Sequence, residues 1–171
     1  MAHSDIIPFD SKEYPITKQE KLQFGIVLSE WNAKIVERLK SHCVSRFIDL
    51  NISIDQLTFL KVPGSFELPW GAKQFLSKGG FDGIICFGCV IQGETKHDDY
   101  INHSIAKAIM TMNLTSQIPI VYGVLTTNTL VQAEERSGGL RGNKGAECAE
   151  AILKMISTSQ QLKNQKGKIG F

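Results

Sequence analysis

One feature constrains the fold of this chain more than any other. Short apolar runs alternate with segments whose apolar residues recur at helical spacing. The runs are Phe24–Leu28, Leu57–Val62, Gly83–Ile91 and Pro119–Leu125. After the first, Ile35, Val36, Leu39 and Cys43 keep a helical period. Phe66 to Leu76 reads as a helix that stops at Lys78-Gly79-Gly80. Ile101, Ile105, Ile109 and Met112 mark a long helix, and a further helix from about Asn128 to Arg136 stops at Gly138-Gly139. A last helix is expected from about Asn143 to near Gln160, with Ile152, Leu153 and Ile156 on its buried face.

Strands that are apolar on both faces must be covered on both faces. The order β-α-β-α-β-α-β-α therefore predicts an α/β fold: a three-layer sandwich with a four-stranded parallel sheet flanked by helices. Crossovers in such a fold are right-handed, and ligands bind outside the carboxyl ends of the strands. The polar, unusual segments all fall at those ends: Ser29–Asn32, Pro63–Glu67, Gln92–His97 and Thr126–Asn128. They are expected to form one site.

The chain has 171 residues, 42% hydrophobic and 21% charged, which suits a single domain over 1–171. A net charge of +2 with no basic block speaks against a nucleic-acid surface. No apolar run reaches membrane-span length, and the acidic, irregular N-terminus does not read as a targeting segment, so a cytoplasmic protein is expected. Residues 1–20 read as an extended arm. Its "DIIPF" segment is apolar enough to dock, and by composition it suits a neighbouring subunit rather than its own core. Residues 161–171 read as a frayed, solvated tail.

The segment CFGCVIQGETKHDDY, 86–100, carries two competing signals. Cys86-x-x-Cys89 has the spacing of redox thiols and zinc knuckles. It lies within a strand, however, and residues three apart on a strand point to opposite faces. A redox pair sits at a helix N-terminus, and a zinc site needs a second ligand pair at suitable spacing, which this chain lacks. Both cysteines are therefore expected to be buried packing residues, and no metal is expected.

The second half differs. Gly93 follows the strand and precedes a helix, with Thr95 as the expected N-cap and Asp98 three residues on. Free N–H groups at a helix start, with glycine allowing close approach, suit a phosphate, which the Thr95 hydroxyl could also hold. His97 lies in the first turn, where the helix dipole favours a neutral ring that can accept a proton. Arg136 offers a planar cation for phosphate, although a last-turn cation also suits the helix dipole. Asn143 is the expected N-cap of the last helix. Glu147 in its first turn is ordinary, whereas Lys144 opposes the dipole and needs another reason to stand there.

With these residues in place, the sequence resembles the lumazine synthase family over about Phe24 to Met155. The markers are Val62-Pro-Gly-Ser-Phe-Glu-Leu-Pro69, Val90-Ile-Gln-Gly-Glu-Thr-Lys-His97, Gly123-Val-Leu-Thr126, and Gln132-Ala-x-x-Arg136 followed by Asn143-Lys-Gly145. The resemblance implies a flavodoxin-like fold. It implies condensation of 5-amino-6-(D-ribitylamino)uracil with 3,4-dihydroxy-2-butanone 4-phosphate to 6,7-dimethyl-8-ribityllumazine. Phosphate and water are released, and no cofactor takes part. By the same resemblance Trp31 stacks on the pyrimidine, with Asn32 beside it. Ser65, Phe66 and Glu67 line the ribityl side, and Val90, Ile91 and Tyr122 line the heterocycle. Gly93, Glu94, Thr95 and Arg136 hold the phosphate. His97 moves protons with Glu147 as relay partner, and Lys144 lies near the substrate or phosphate. The Glu at position 94 departs from the small or uncharged residue of many members. Further implications are an N-terminal segment adding a strand to a neighbouring subunit, a homopentamer with sites between neighbours, which stands alone in some members and packs into a sixty-subunit shell in others, and association with riboflavin synthase. Two rival readings share the scaffold: an archaeal-type riboflavin synthase, and a non-catalytic flavin-binding or shell protein.

Overall fold

The computed structural model describes residues 8–166. Its main sheet has four parallel strands: β1 (Phe24–Ser29), β2 (Leu57–Val62), β3 (Gly83–Ile91) and β4 (Ile120–Thr127). Their spatial order is β2-β1-β3-β4. The helices between and after them are α1 (Ala33–Asp49), α2 (Leu68–Lys78), α3 (His97–Thr115), α4 (Leu130–Arg136) and α5 (Lys144–Lys166). A small antiparallel pair, β5 (Ser137–Gly139) and β6 (Gly142–Asn143), joins α4 to α5.

The central strands β1 and β3 are buried on both faces, as their composition demands. One face packs α1 and α5 through Phe24, Ile26, Leu39, Phe47 and Ile152. The other packs α2 and α3 through Val27, Leu68, Phe75, Ile105 and Ile109. Phe24 and Phe47 lie 4.7 Å apart between ring centres. Burying side chains of this size contributes roughly 1.5–3 kcal/mol each. β2, at the edge, is only buried at its ends. Cys86 and Cys89 fall on opposite faces, one in each core cluster, as strand periodicity requires.

Close helix packing depends on Gly145. A Cβ there would collide with the Leu39 carbonyl oxygen, so α5 crosses α1 with its backbone almost in contact. Asn143 caps α5, its side-chain oxygen accepting from the Ala146 N–H at 3.2 Å.

Several boundaries differ from the sequence expectation. Residues Ser65–Glu67 form a 3-10 turn, and α2 begins only at Leu68, with Pro69 in its first turn. Thr95 is not the N-cap of α3. The cap position is Lys96, without a side-chain capping bond, and the helix starts at His97. The last helix runs on through Lys166 rather than ending near Gln160. Residues 167–171 of the expected tail lie outside the described residues. So do residues 1–7 and most of "DIIPF". The described part of the arm lies on its own chain. The Phe9 N–H donates to Glu150 at 2.8 Å, Ser157 Oγ donates to the Pro15 carbonyl at 2.8 Å, and Gln160 receives the Thr17 N–H at 2.9 Å.

Candidate active site

The chain leaves β1 towards β2 on one side and later returns to β3 on the other. The strand order therefore reverses at the β1–β3 boundary, the place where sheets of this kind open a crevice at their carboxyl ends. A cleft of about 470 Å³ lies there. Three of the four expected segments build it. Trp31 and Asn32 come from the exit of β1. Gly64, Ser65, Phe66 and Glu67 come from the turn before α2. Val90, Ile91, Gly93, Thr95 and His97 come from the end of β3 and the start of α3.

The lining combines flat apolar surface with a few polar groups, the usual make-up of a small-molecule site. Trp31 is 74% exposed and Phe66 58%, so both rings present free faces. The Glu67 carboxylate folds back over Gly64, where a Cβ would lie 2.9 Å from its Oε2. Ser65 Oγ is buried without a hydrogen-bond partner, although it lines the cleft. A buried hydroxyl of that kind is costly unless a ligand pairs with it. Gly93 has open space where a side chain would stand, so its backbone is accessible. His97 is exposed at the first position of α3.

The lining also includes Cys89, Asp98 and Ile101, which the sequence did not single out as site residues. Ile101 follows His97 by one helical turn, a signal available in the helical period, whereas Asp98, the next residue, carries no such signal. Cys89 borders the cleft from the end of β3, with its side chain in the core cluster that packs α1 and α5. Burial raises its thiol to about 11, and raises Cys86 and Cys148 to about 12. Such thiols stay protonated near neutral pH and do not supply a nucleophile.

Five expected residues lie off the cleft. Glu94 is exposed beside Gly93 without lining it. Tyr122 sits mid-strand in β4, in register with Cys86, and burial raises its hydroxyl pKa. Arg136 ends α4, and its guanidinium has no ion-pair or hydrogen-bond partner among the described residues. Lys144 and Glu147 open α5 as a mutual ion pair at 3.3 Å. That pair offsets the unfavourable position of Lys144 at the positive end of the helix. The fourth expected segment, Thr126–Asn128, also stays outside the cleft.

The sequence profile of 6,7-dimethyl-8-ribityllumazine synthase matches residues 21–160. The chain belongs to the lumazine synthase family. A 6,7-dimethyl-8-ribityllumazine synthase from Flavobacterium johnsoniae is 41% identical over 159 residues, covering 93% of this chain and 83% of the relative. One from Bacteroides fragilis is 44% identical over 135 residues, 79% of this chain and 94% of the relative. One from Phocaeicola vulgatus is 38% identical over 161 residues, covering 94% and 95%. The matched span of this lumazine synthase family member contains every cleft residue named above. Among the described residues no helix is long and apolar enough to cross a membrane.

Proposed function

We propose that this chain condenses 5-amino-6-(D-ribitylamino)uracil with 3,4-dihydroxy-2-butanone 4-phosphate, forming 6,7-dimethyl-8-ribityllumazine with loss of phosphate and water, in riboflavin biosynthesis. The observation that carries this is the make-up of the cleft in a chain of this family. An aromatic face, a carboxylate and a helix start bearing a histidine meet at the switch point of the sheet.

The roles follow from the chemistry of the two substrates. The Trp31 ring stacks on the flat pyrimidine, and Val90 and Ile91 pack against its edge. Ser65 and Glu67 take the ribityl hydroxyls: the unpaired Ser65 Oγ can donate, and the Glu67 carboxylate accepts. Gly93, Glu94 and Thr95 offer backbone N–H groups and a hydroxyl to the phosphate; the Glu94 side chain is not needed there. His97 moves protons during imine formation and phosphate elimination. Much of the acceleration comes from holding amine and ketone together.

Tyr122, Arg136, Lys144 and Glu147 enter this scheme through assembly. They stand away from their own chain's cleft, and a second copy can bring them to it. The exposed apolar residues Trp70, Leu130, Val131 and Leu140 support burial between copies. In this reading residues 1–171 act as one domain in a cytoplasmic homopentamer with sites between neighbours. Packing into a sixty-subunit shell and association with riboflavin synthase are its further reach.

The test supplies both substrates and follows lumazine fluorescence together with phosphate release. Both signals are expected. No signal from these two substrates, with riboflavin formed from added 6,7-dimethyl-8-ribityllumazine, would point to riboflavin-synthase-type chemistry, and ligand binding without turnover of either kind would make the chain a binding protein.

A further inference from the structure

We propose that Asn32 is a positioning residue: its side-chain amide ties the exit of β1 to the exit of β3 and so fixes the Trp31 ring over the cleft. This rests on the pyrimidine reading of the cleft and replaces direct substrate contact as the main task of Asn32.

The Trp31 ring is 74% exposed, so packing does little to hold it. Its position must be set through its backbone. On the β1–β2 side the Trp31 N–H donates to the Pro63 carbonyl at 3.2 Å, and its carbonyl accepts a long bond from Ser29 Oγ at 3.4 Å. Neither bond reaches β3, which forms the other wall.

Asn32 supplies that link. Its backbone is left-handed, with φ 56° and ψ 40°, a conformation that asparagine tolerates better than most residues. It stands at the cap of α1, where its carbonyl accepts from Ile35 at 2.9 Å. An asparagine there would ordinarily turn its side chain onto its own helix. No such bond forms. Instead Nδ2 donates to the Cys89 carbonyl at 2.8 Å. The pairing of β1 with β3 ends at Leu28 and Phe87, so Cys89, two residues on, has no β1 residue opposite. Cys89 is 2% exposed, and a carbonyl in such a place needs a partner. The Asn32 amide takes the place of the missing strand.

The two tryptophans of the chain are Trp31 and Trp70, so a Trp70→Phe background leaves Trp31 as the reporter. In that background Asn32→Gly keeps the left-handed backbone and removes the link. Asn32→Asp keeps the shape and turns the donor into an acceptor facing a carbonyl. Both variants are expected to lower the fluorescence anisotropy of Trp31 in the free protein. Both are expected to raise KM for the pyrimidine by about five- to tenfold, the loss of one hydrogen bond. The change in kcat is expected to stay within about twofold, since the chemical step is not touched. Raised KM with unaltered free-protein anisotropy would mean direct contact and overturn the proposal. Lowered anisotropy with unaltered KM would overturn it too. The anisotropy is read without substrate or turnover, so it stands or falls apart from the condensation assay.

Discussion

His97 shows how a residue's role depends on where its element begins. Because α3 starts at His97 itself, the ring projects from the helix end beside Gly93 and Thr95 rather than from within a capped turn. For His97→Ala, kcat is expected to fall by no more than about 100-fold, the low end for a proton-transfer group, because substrate alignment persists. Steady-state product fluorescence measures it, and an undiminished rate would remove His97 from the mechanism. The cysteines make the opposite case, since their chemistry is suppressed by burial. Below the ordinary thiol value of 9.0 they are protonated whether the chain is folded or not, and their contribution is fully present. Above it the unfolded thiols ionise, while Cys86 and Cys148 are held up to about 12. Stability is therefore lost as pH climbs from 9.0 towards about 12, and Cys148→Ala should flatten that loss in thermal melts across the range. The opposite facing of Cys86 and Cys89 was legible in the sequence, because strand periodicity is local. The Asn32 bond was not, because its acceptor lies 57 residues away on another strand.

At the scale of elements, β2 and β3 begin and end where their apolar runs do, and the parallel α/β arrangement follows from covering both faces. The departures cluster where a local rule met a tertiary one. Pro69 marks a first helical turn, yet the preceding Ser65–Glu67 turn was indistinguishable from helix by apolar spacing alone. The polar composition after Gln160 suggests fraying, but Gln160 and Ser157 receive the arm along one side of α5. The three-residue β5 and two-residue β6 are too short to leave a period in the sequence. Gly145 is where the family marker Asn143-Lys144-Gly145 acquires a physical meaning. Glycine within a helix is normally a disadvantage relative to alanine. Here alanine would press on the Leu39 carbonyl, part of a backbone that cannot swing aside. Gly145→Ala is expected to destabilise the fold by about 1–3 kcal/mol, the usual range for overpacking, as read from urea denaturation midpoints.

At the scale of the whole molecule, the residues that the family resemblance assigns to one site do not all share the cleft. Trp31, Glu67 and His97 share the cleft, while Arg136, Lys144 and Glu147 stand outside it on α4 and α5. Within one chain Arg136 does not line the cleft that holds Gly93, and its guanidinium has no ion-pair or hydrogen-bond partner among the described residues. Between copies it can serve the Gly93 loop, provided that the contact is heterologous and joins unlike surfaces. The single variant Arg136→Ala is then expected to raise KM for the butanone phosphate by about 10- to 100-fold, the loss of a charged hydrogen-bonding group. Gly93→Asp is expected to do comparable damage from the other side. Its new side chain has open space to occupy and would place a carboxylate in the phosphate seat. Mixing decides between the two architectures. If each copy completed its own site, co-assembled Gly93→Asp and Arg136→Ala chains would show only the average of two impaired enzymes. If neighbours complete each other, random assembly gives about a quarter of the junctions an intact loop from one copy and an intact arginine from the next. Activity at limiting butanone phosphate should then recover towards that fraction of the wild-type rate. The recovery should vanish when the two proteins are purified separately and mixed without reassembly.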